Sequence, residues 1–489
     1  MDRHIDAQLR AQLRASGAVM PGELAERAFA RATGAELVGG NAVRILRDAA
    51  EHFPAWLEAI RAAEDTILLE SYIIADDEVG REFIDTLAVK ARRGVDVYVL
   101  YDWLGSRGSR FLWQPLIDAG AEVRAFNPLR LDEPFGWTMR DHRKMLAVDG
   151  RVGYVTGLCL SSKWCGNPAR GIEPWRDTGI EIRGPAVLEL EAAFTRVWMA
   201  SGAESPPQGL TDQAVEDAGD TRLRVVASEP ETANVFRLDQ LVAAVASKRL
   251  WLTDAYFVGI APYVRALCDA ALDGVDVRLL VPGASDLPLV SRLSRAGYRP
   301  LLEAGVRIFE WNGSMLHAKS AVADEHWARV GSTNLNFASW MNNYELDVAV
   351  EDARFARCMA EMYEEDLENS TEIVLGRRNR VIRSIPRARG AAKVRRAVSG
   401  SAGRAAAGAL SVGSVLGAAL TQRRVLGPAE ASLLAIVAAL LCGLAVLAVL
   451  WPPLIAVPFA LLAVWLGLAL LWRAARLHRA GARADKPPR

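Results

Sequence analysis

One pattern of chemically active side chains occurs twice in this chain. Segments 142–149 and 317–324 both read His-x-Lys-x-x-x-x-Asp, and they lie 175 residues apart. Each copy continues through a short apolar run into a glycine-containing turn, at 157–159 and at 331–334. One histidine can attack phosphorus, a second can protonate a departing alcohol oxygen, and two lysines can hold phosphate oxygens. The duplication therefore predicts one active site, built from two halves, for phosphoryl transfer without a metal.

The candidate catalytic residues are the three fixed positions of each copy. They are His142, Lys144, Asp149, His317, Lys319 and Asp324. Alternate side chains of an extended strand share a face, so each histidine and its lysine are expected to point into one cavity. The two aspartates come at the far end of each strand, where we expect them to hold the turn rather than do chemistry. No cofactor and no metal site are expected.

The repeat extends beyond the motif and predicts the fold class. Residues 94–97 read Gly-Val-Asp-Val and recur at 274–277. In the first half we expect strands at 66–74, 95–101 and 123–126 and a helix at 80–93. In the second half we expect strands at 250–253, 275–281 and 306–309 and helices at 264–272 and 287–302. This alternation predicts two tandem α/β/α sandwich lobes with largely parallel sheets, related by a pseudo-twofold axis that brings the histidines together.

The duplicated motif, with Gly-Ser-Thr-Asn at 331–334 after the second copy, resembles the phospholipase D superfamily. Other stretches resemble the bacterial cardiolipin synthases of that superfamily. They are residues 40–41, 69–73, 101–106, 175–178, 331–337 and 343–345. The resemblance covers roughly residues 38 to 370 and implies phospholipid substrates.

The resemblance implies a ping-pong mechanism with a covalent phosphohistidine intermediate. In such synthases both substrates are phosphatidylglycerol: one donates its phosphatidyl group, glycerol leaves, and the second accepts the group. By resemblance His142 is the nucleophile and His317 the general acid. The similarity of the two halves leaves the reverse order open.

Supporting residues are also implied by the resemblance. Glu345 lies 28 residues after His317, where the family places a carboxylate that orients the histidine. Asp177 is the candidate counterpart for His142, and an ordinary surface acid is the alternative interpretation of this residue.

The two glycine-containing turns differ in their polar residues. Ser332 and Asn334 are supporting candidates in the second turn, and the Asn334 amide is suited to a phosphate oxygen. Cys159 stands at the corresponding place in the first half, and a thiol is a poor hydrogen-bond donor. Either a neighbour such as Thr156 or Ser161 compensates, or the first half binds phosphate less well.

Two long apolar segments lie near the C-terminus. Residues 431–450 and 454–472 contain no charged side chain, and each is long enough to cross a bilayer as a helix. Trp-Pro-Pro at 451–453 separates them, and arginines flank the pair on both sides. The positive-inside rule then predicts a transmembrane hairpin whose two ends, and the catalytic lobes, are cytoplasmic. Together with the resemblance, this predicts a multi-pass protein of the bacterial inner membrane.

Charge and length predict the remaining organisation. We expect an N-terminal helical extension (1–36), two lobes (37–210 and 211–372), a basic linker (373–429), the hairpin (430–473) and a basic tail (474–489). The linker carries twelve Lys and Arg and no acid, whereas residues 1–372 carry 40 basic and 56 acidic side chains. Basic segments beside a membrane are attracted to anionic headgroups, so an anionic membrane surface is an expected partner.

Several activities are compatible with the motif. They are phosphatidyl transfer between lipids, hydrolysis or headgroup exchange on phospholipids, and phosphodiester cleavage by a related nuclease. A membrane-tethered lipid-binding scaffold is the non-enzymatic alternative. The acidic lobes disfavour nucleic acid as a partner, because its binding depends on basic surface. Intact histidines and lysines in both halves disfavour the scaffold, and the first two activities are not separated by the sequence.

Overall fold

A computed structural model of the chain describes residues 22–106, 112–129, 139–210, 215–376 and 380–383, with scattered positions between 442 and 472. Its helices are α1 (Gly22–Thr33), α2 (Asp48–Ala62), α3 (Glu78–Ala91), α4 (Gln114–Asp118), α5 (Ala186–Ala200), α6 (Asn234–Val245), α7 (Ala261–Leu272), α8 (Pro288–Ala296), α9 (Tyr298–Glu303), α10 (Phe337–Met341) and α11 (Ala353–Glu368). Its strands are β1 (Val38–Arg47), β2 (Thr66–Ser71), β3 (Asp96–Asp102), β4 (Glu122–Phe126), β5 (Arg140–Asp141), β6 (Lys144–Val148), β7 (Val152–Thr156), β8 (Thr178–Arg183), β9 (Thr221–Ser228), β10 (Arg249–Thr253), β11 (Asp276–Pro282), β12 (Arg307–Trp311), β13 (Ser320–Ala323), β14 (Trp327–Gly331), β15 (Asn343–Glu351), β16 (Ser370–Gly376) and β17 (Arg380–Arg383).

The first half of the chain forms one mixed sheet in the order β4-β3-β2-β6-β7-β8-β1. Strands β2, β3 and β4 run parallel, and helices α3 and α4 connect them. Every residue of β2, β6 and β7 is buried, which is the pattern of central strands covered on both faces.

The second half repeats this order as β12-β11-β10-β13-β14-β15-β9, with β16 and β17 added beyond β12. Strand for strand, the two halves therefore have the same topology. The expectation of largely parallel sheets was wrong, because within these two sheets of the described chain only β2 to β4 and β10 to β12 pair in parallel. Each motif strand is joined to the next by a tight turn, and such a short connection produces an antiparallel pair.

The two sheets are connected by hydrogen bonds through β1. The first part of β1 pairs with β9 at Val38 and Asn41, and residues 42–47 pair with β8. Strand β9 in turn pairs along seven residues of β15. A hydrophobic cluster that includes α5, α11 and both sheets packs the halves together, and each half has a further cluster of its own. The result is a mixed α/β fold in which the motif-bearing strands of both halves are held in fixed relation.

Other predicted boundaries shift. The helix expected at 287–302 is divided at Gly297 into α8 and α9. The second sheet continues through β16 and β17, beyond residue 373, where the linker was expected to begin. Most of the predicted linker, hairpin and tail lie outside the described residues, as do residues 1–21. A search of the described positions finds no helix with the length and apolarity needed to span a membrane.

Candidate active site

Each motif histidine is placed by a backbone contact with the opposite half of the chain. Residues 140–141 of β5 pair in parallel with the start of β15, and the His142 N–H donates to the Tyr344 carbonyl at 2.9 Å. In the second half, Leu316 forms a parallel bridge with Arg176, and the His317 N–H donates to the Arg176 carbonyl at 2.7 Å. In both cases the partner strand presents a carboxylate as its next residue, Glu345 or Asp177.

Glu345 holds the histidine of the first motif. His142 Nδ1 lies 3.0 Å from each carboxylate oxygen of Glu345, which is fully buried. The Ser332 hydroxyl donates to Glu345 at 2.5 Å, and the Asn343 amide donates to it at 3.3 Å. Although burial acts to raise the pKa of Glu345, the charge and hydrogen bond of His142 hold it below its ordinary value. Glu345 is therefore an ionised carboxylate that fixes the orientation of the His142 ring.

Asp177 holds the histidine of the second motif. His317 Nδ1 lies 2.8 Å from Asp177 Oδ2, and the Trp164 indole N–H donates to the same oxygen at 3.0 Å. Burial acts to raise the pKa of Asp177, but the charge and hydrogen bond of His317 hold it well below its ordinary value.

The expected pairing of Glu345 with His317 and of Asp177 with His142 was wrong, since the pairs are crossed. Spacing along the chain does not predict these pairs, because the backbone of each motif histidine pairs with the segment of the other half that carries the carboxylate. All four residues nevertheless meet in one site, and neither half contains a complete histidine–carboxylate pair on its own.

Both motif lysines are fully buried. The Lys144 ammonium donates to the His142 carbonyl, and the Lys319 ammonium donates to the His317 carbonyl and lies 3.2 Å from His317 Nε2. Burial and the charge of Lys144, opposed by the charge of Asp177, lower the pKa of Lys319 to about 8. Each lysine therefore lies within electrostatic reach of the other half.

Both histidines have pKa values below that of an ordinary imidazole. Burial and the charge of Lys319, opposed by Asp177, lower the pKa of His317 to about 4. Burial also lowers the pKa of His142; Glu345 opposes the shift, and Lys144 and Lys319 add to it. An anionic phosphate between the two ammonium groups offsets their charge, so substrate binding favours protonation of one imidazole.

Aromatic rings flank the two histidines unequally. Tyr72 lies edge-on to His142 at 4.9 Å between ring centroids. His317 is flanked by Trp164 at 5.2 Å, Trp175 at 5.6 Å and Tyr256 at 5.8 Å. Our sequence analysis assigned no role to Trp164 or Tyr256, although Tyr256 follows β10 much as Tyr72 follows β2, which is a signal that the internal repeat contained.

The glycine-containing turns also differ between the halves. The strand register shows which turn residues are equivalent in the two halves: Gly157 corresponds to Ser332, and Cys159 corresponds to Asn334. Asn334 is 4% exposed, and within the described part of the chain its Oδ1 has no hydrogen-bond partner. A Cβ atom on Gly157 would lie only 2.5 Å from Asp177 Oδ1, so no serine fits there without movement.

Cys159 is not compensated by either predicted neighbour. The Thr156 hydroxyl bonds to His52, and the Ser161 hydroxyl donates to Asp77. The Cys159 thiol is 2% exposed, and burial raises its pKa, so it is a neutral group within an apolar cluster. Of the two alternatives, the geometry favours weaker phosphate binding by the first half.

The motif aspartates lie in the turns and not in the site, as their position predicted. Asp149 accepts the backbone N–H groups of residues 64–66 at 2.8–2.9 Å. Asp324 accepts those of residues 247–249 at 2.7–3.1 Å, together with the Ser247 hydroxyl. They are structural parts of the motif rather than catalytic residues. Among the residues that the structure covers, no group of three or more His, Cys, Asp or Glu is arranged to hold a metal ion.

Comparison with known proteins gives consistent matches. The family model described as the phospholipase D-like domain of cardiolipin synthase matches residues 56–198 and 241–367. Cardiolipin synthase from Halalkalibacterium halodurans is 34% identical over 68% of this chain and 67% of that protein. Cardiolipin synthase A from Pseudomonas syringae pv. syringae is 34% identical over 69% of this chain and 70% of that protein. Among solved structures, phosphatidylserine synthase from Haemophilus influenzae matches with a TM-score of 0.57 at 15% identity, covering 71% of this chain and 91% of that one.

Proposed function

The chain belongs to the phospholipase D-like cardiolipin synthase family, and from this we propose that it transfers a phosphatidyl group between two phosphatidylglycerol molecules and releases glycerol. The observation that carries the proposal is the pair of crossed histidine–carboxylate contacts. They give two imidazoles, each oriented through Nδ1, and two buried lysines whose charges act on both of them. A covalent phosphodiester exchange requires these groups: a nucleophile, a general acid and base, and fixed positive charge.

In the first step, Nε2 of His142 attacks the phosphorus of the donor lipid. The new bond is P–N, the bond that breaks is P–O to the glycerol headgroup, and His317 gives its proton to the departing oxygen. Because Glu345 occupies Nδ1 of His142, the free electron pair of Nε2 faces the substrate. The phosphatidyl group is then held covalently on His142.

Fixed positive charge stabilises the transition state of this step. Lys144 and Lys319 are buried, so their attraction for the phosphate oxygens is little screened by water. The buried side-chain amide of Asn334, which the first half lacks, would add a hydrogen bond to a phosphate oxygen. The same phosphate charge raises the pKa of His317, which is otherwise about 4, and so prepares it to act as the acid.

The second step is the reverse of the first, with the acceptor lipid in place of glycerol. His317, now deprotonated, takes the proton from a hydroxyl of the acceptor phosphatidylglycerol. The acceptor oxygen attacks phosphorus, the P–N bond breaks, and cardiolipin leaves with His142 restored. The reverse assignment, with His317 as nucleophile, uses the same groups and is decided by the trapping experiment described in the Discussion.

We further propose that the enzyme works at the bacterial inner membrane. The two uncharged C-terminal segments, 431–450 and 454–472, would form a hairpin, and the basic linker before them would contact anionic lipid. The two lobes would then lie on the cytoplasmic side, beside the bilayer that supplies both substrates.

An assay of the full chain in detergent, with phosphatidylglycerol as the only lipid, tests the activity. We expect cardiolipin and glycerol by mass spectrometry, and loss of both products in His142→Ala and in His317→Ala. His326→Ala is the matched control, because His326 is an exposed histidine in the turn beyond Asp324. Phosphatidic acid as the sole product would replace synthesis by hydrolysis, and no product with any phospholipid donor would refute the proposal.

A further inference from the structure

The two histidines have different exposure to water. Three aromatic rings contact His317, whose side chain is 6% exposed. Tyr72 contacts His142, whose side chain is 12% exposed. Aromatic rings are large apolar bodies that displace water from the surface they cover. The difference calls for a chemical explanation, because both histidines share the same motif, lysine and orienting carboxylate.

The rings around His317 form an inner and an outer layer. Trp164 is the inner ring: it is 2% exposed, and its indole N–H is bonded to Asp177. Trp175 is half-buried and tilts against Trp164 at 4.7 Å between centroids, which places it on the outside. Tyr256 is also half-buried, and its hydroxyl donates to Asp286 at 2.9 Å, so its ring is held in place. Trp175 and Tyr256 are therefore the rings that contact His317 and are also partly exposed to solvent.

In the proposed reaction, the second step is where water competes with lipid. The phosphohistidine is cleaved by whichever hydroxyl reaches phosphorus and gives its proton to His317. With a lipid alcohol the P–N bond is exchanged for a P–O bond to the acceptor, and the product is cardiolipin. With water the same exchange yields phosphatidic acid. Exclusion of water from a reactive intermediate is a recognised function of a closed apolar wall.

We propose that Trp175, supported by Tyr256, excludes water from Nε2 of His317 and so makes the enzyme a transferase rather than a hydrolase. This inference rests on the proposed function. It makes Trp175 a specificity-determining residue: it takes no part in proton or phosphoryl transfer, and it decides which acceptor the general base activates. A purely structural Trp175 would affect the rate of both reactions alike and leave their ratio unchanged.

The test is the ratio of phosphatidic acid to cardiolipin made from phosphatidylglycerol by the full chain in ¹⁸O-labelled water. We expect Trp175→Ala to raise this ratio by roughly tenfold, with ¹⁸O in the phosphatidic acid, and Trp175→Phe to stay close to wild type. Tyr256→Leu should raise the ratio in the same direction. Trp113→Ala is the control, because Trp113 is a tryptophan of the first half that stacks on Tyr101 rather than on a histidine. It should leave the ratio unchanged.

The outcomes separate this inference from the proposed function. If wild-type enzyme makes no cardiolipin, the proposed function fails. If wild type makes cardiolipin but neither Trp175→Ala nor Tyr256→Leu changes the ratio, the rings do not select the acceptor and the inference is overturned. A fall in total turnover at constant ratio would count the same way. If one variant does not fold, the other, measured against Trp113→Ala, still decides the question.

Discussion

The two halves of the active site have the same topology but different supports for their histidines. His142 is held by Glu345, which receives hydrogen bonds from Ser332 and Asn343. His317 is held by Asp177, which receives an indole N–H from Trp164 in a more enclosed setting. The internal repeat thus provides two equivalent positions, and the residues around them make those positions unequal. Unequal surroundings fit a reaction in which one histidine binds phosphorus covalently and the other moves a proton.

Replacing either histidine should have the largest effect. We expect His142→Ala and His317→Ala each to lower kcat by about 10⁴-fold or more, because nucleophile and acid act as one unit. A donor with a p-nitrophenyl headgroup distinguishes the two roles, since nitrophenolate leaves without a proton. With this donor, His317→Ala should release nitrophenolate and accumulate phosphohistidine at His142, detectable by mass spectrometry. Phosphohistidine at His317 in the His142→Ala enzyme would reverse the assignment.

Replacing the carboxylates should have the next largest effect and tests the crossed pairing. We expect Glu345→Gln and Asp177→Asn to reduce kcat by about 10²- to 10⁴-fold, because an amide fixes the wrong imidazole tautomer. Glu345 acts to raise the pKa of His142, so Glu345→Gln should lower that pKa while leaving His317 unchanged. Asp177→Asn should lower the pKa of His317 and, through its lost charge, that of His52, and leave the pKa of His142 unchanged. Titration of ¹⁵N-labelled histidines by NMR measures this, and a Glu345→Gln effect on His317 instead would contradict the crossing.

The sequence predicted the chemical groups of the site better than their partners. The duplicated motif identifies the two histidines and two lysines of the site. Because alternate residues of a strand share a face, it also explains why each histidine and its lysine lie on the same side. The partner of each histidine was predicted wrongly, because Glu345 follows His317 closely in the chain but pairs with His142 across the interface between halves. We expected largely parallel sheets because the alternation of strands and helices is visible in the sequence. The sequence signal for the antiparallel pairing of β6 and β7 is much smaller, since it is the short turn at Asp149-Gly150.

The unequal turns predict unequal responses to substitution. Asn334→Cys gives the second half the residue of the first, and we expect kcat/KM for phosphatidylglycerol to fall about tenfold through loss of a hydrogen bond to a charged oxygen. Cys159→Ala should change kcat/KM less than twofold, since the thiol is buried in an apolar cluster. Equal losses in the two variants would show that both turns bind phosphate alike.

The alkaline limb of the pH profile is expected to report Lys319. Its pKa is about 8, below the ordinary value for lysine, so it loses its positive charge as the pH rises through 8. The transition state needs that charge, and kcat/KM should therefore fall above about pH 8. Lys319→Arg keeps the charge and should move this limb upward by at least one pH unit, even if its maximal rate is lower. An unmoved limb would assign the titration to another group.

The motif aspartates are the positions at which the two halves are alike in structure, and they should have the smallest effect on activity. Asp149 and Asp324 each accept three consecutive backbone N–H groups and each adopt a positive φ, of 53° and 51°. Asp149→Ala and Asp324→Ala should each lower the free energy of unfolding by about 1 to 3 kcal/mol, through lost hydrogen bonds and backbone strain. Asparagine at either position tolerates this φ and keeps one acceptor oxygen, so the Asn variants should lose less stability than the Ala variants.

Thermal unfolding measures this loss of stability. The value of kcat per folded molecule should stay near wild type, because these carboxylates hold the turns and do not contact the phosphate. A large fall in kcat without a fall in stability would place them in the chemistry after all.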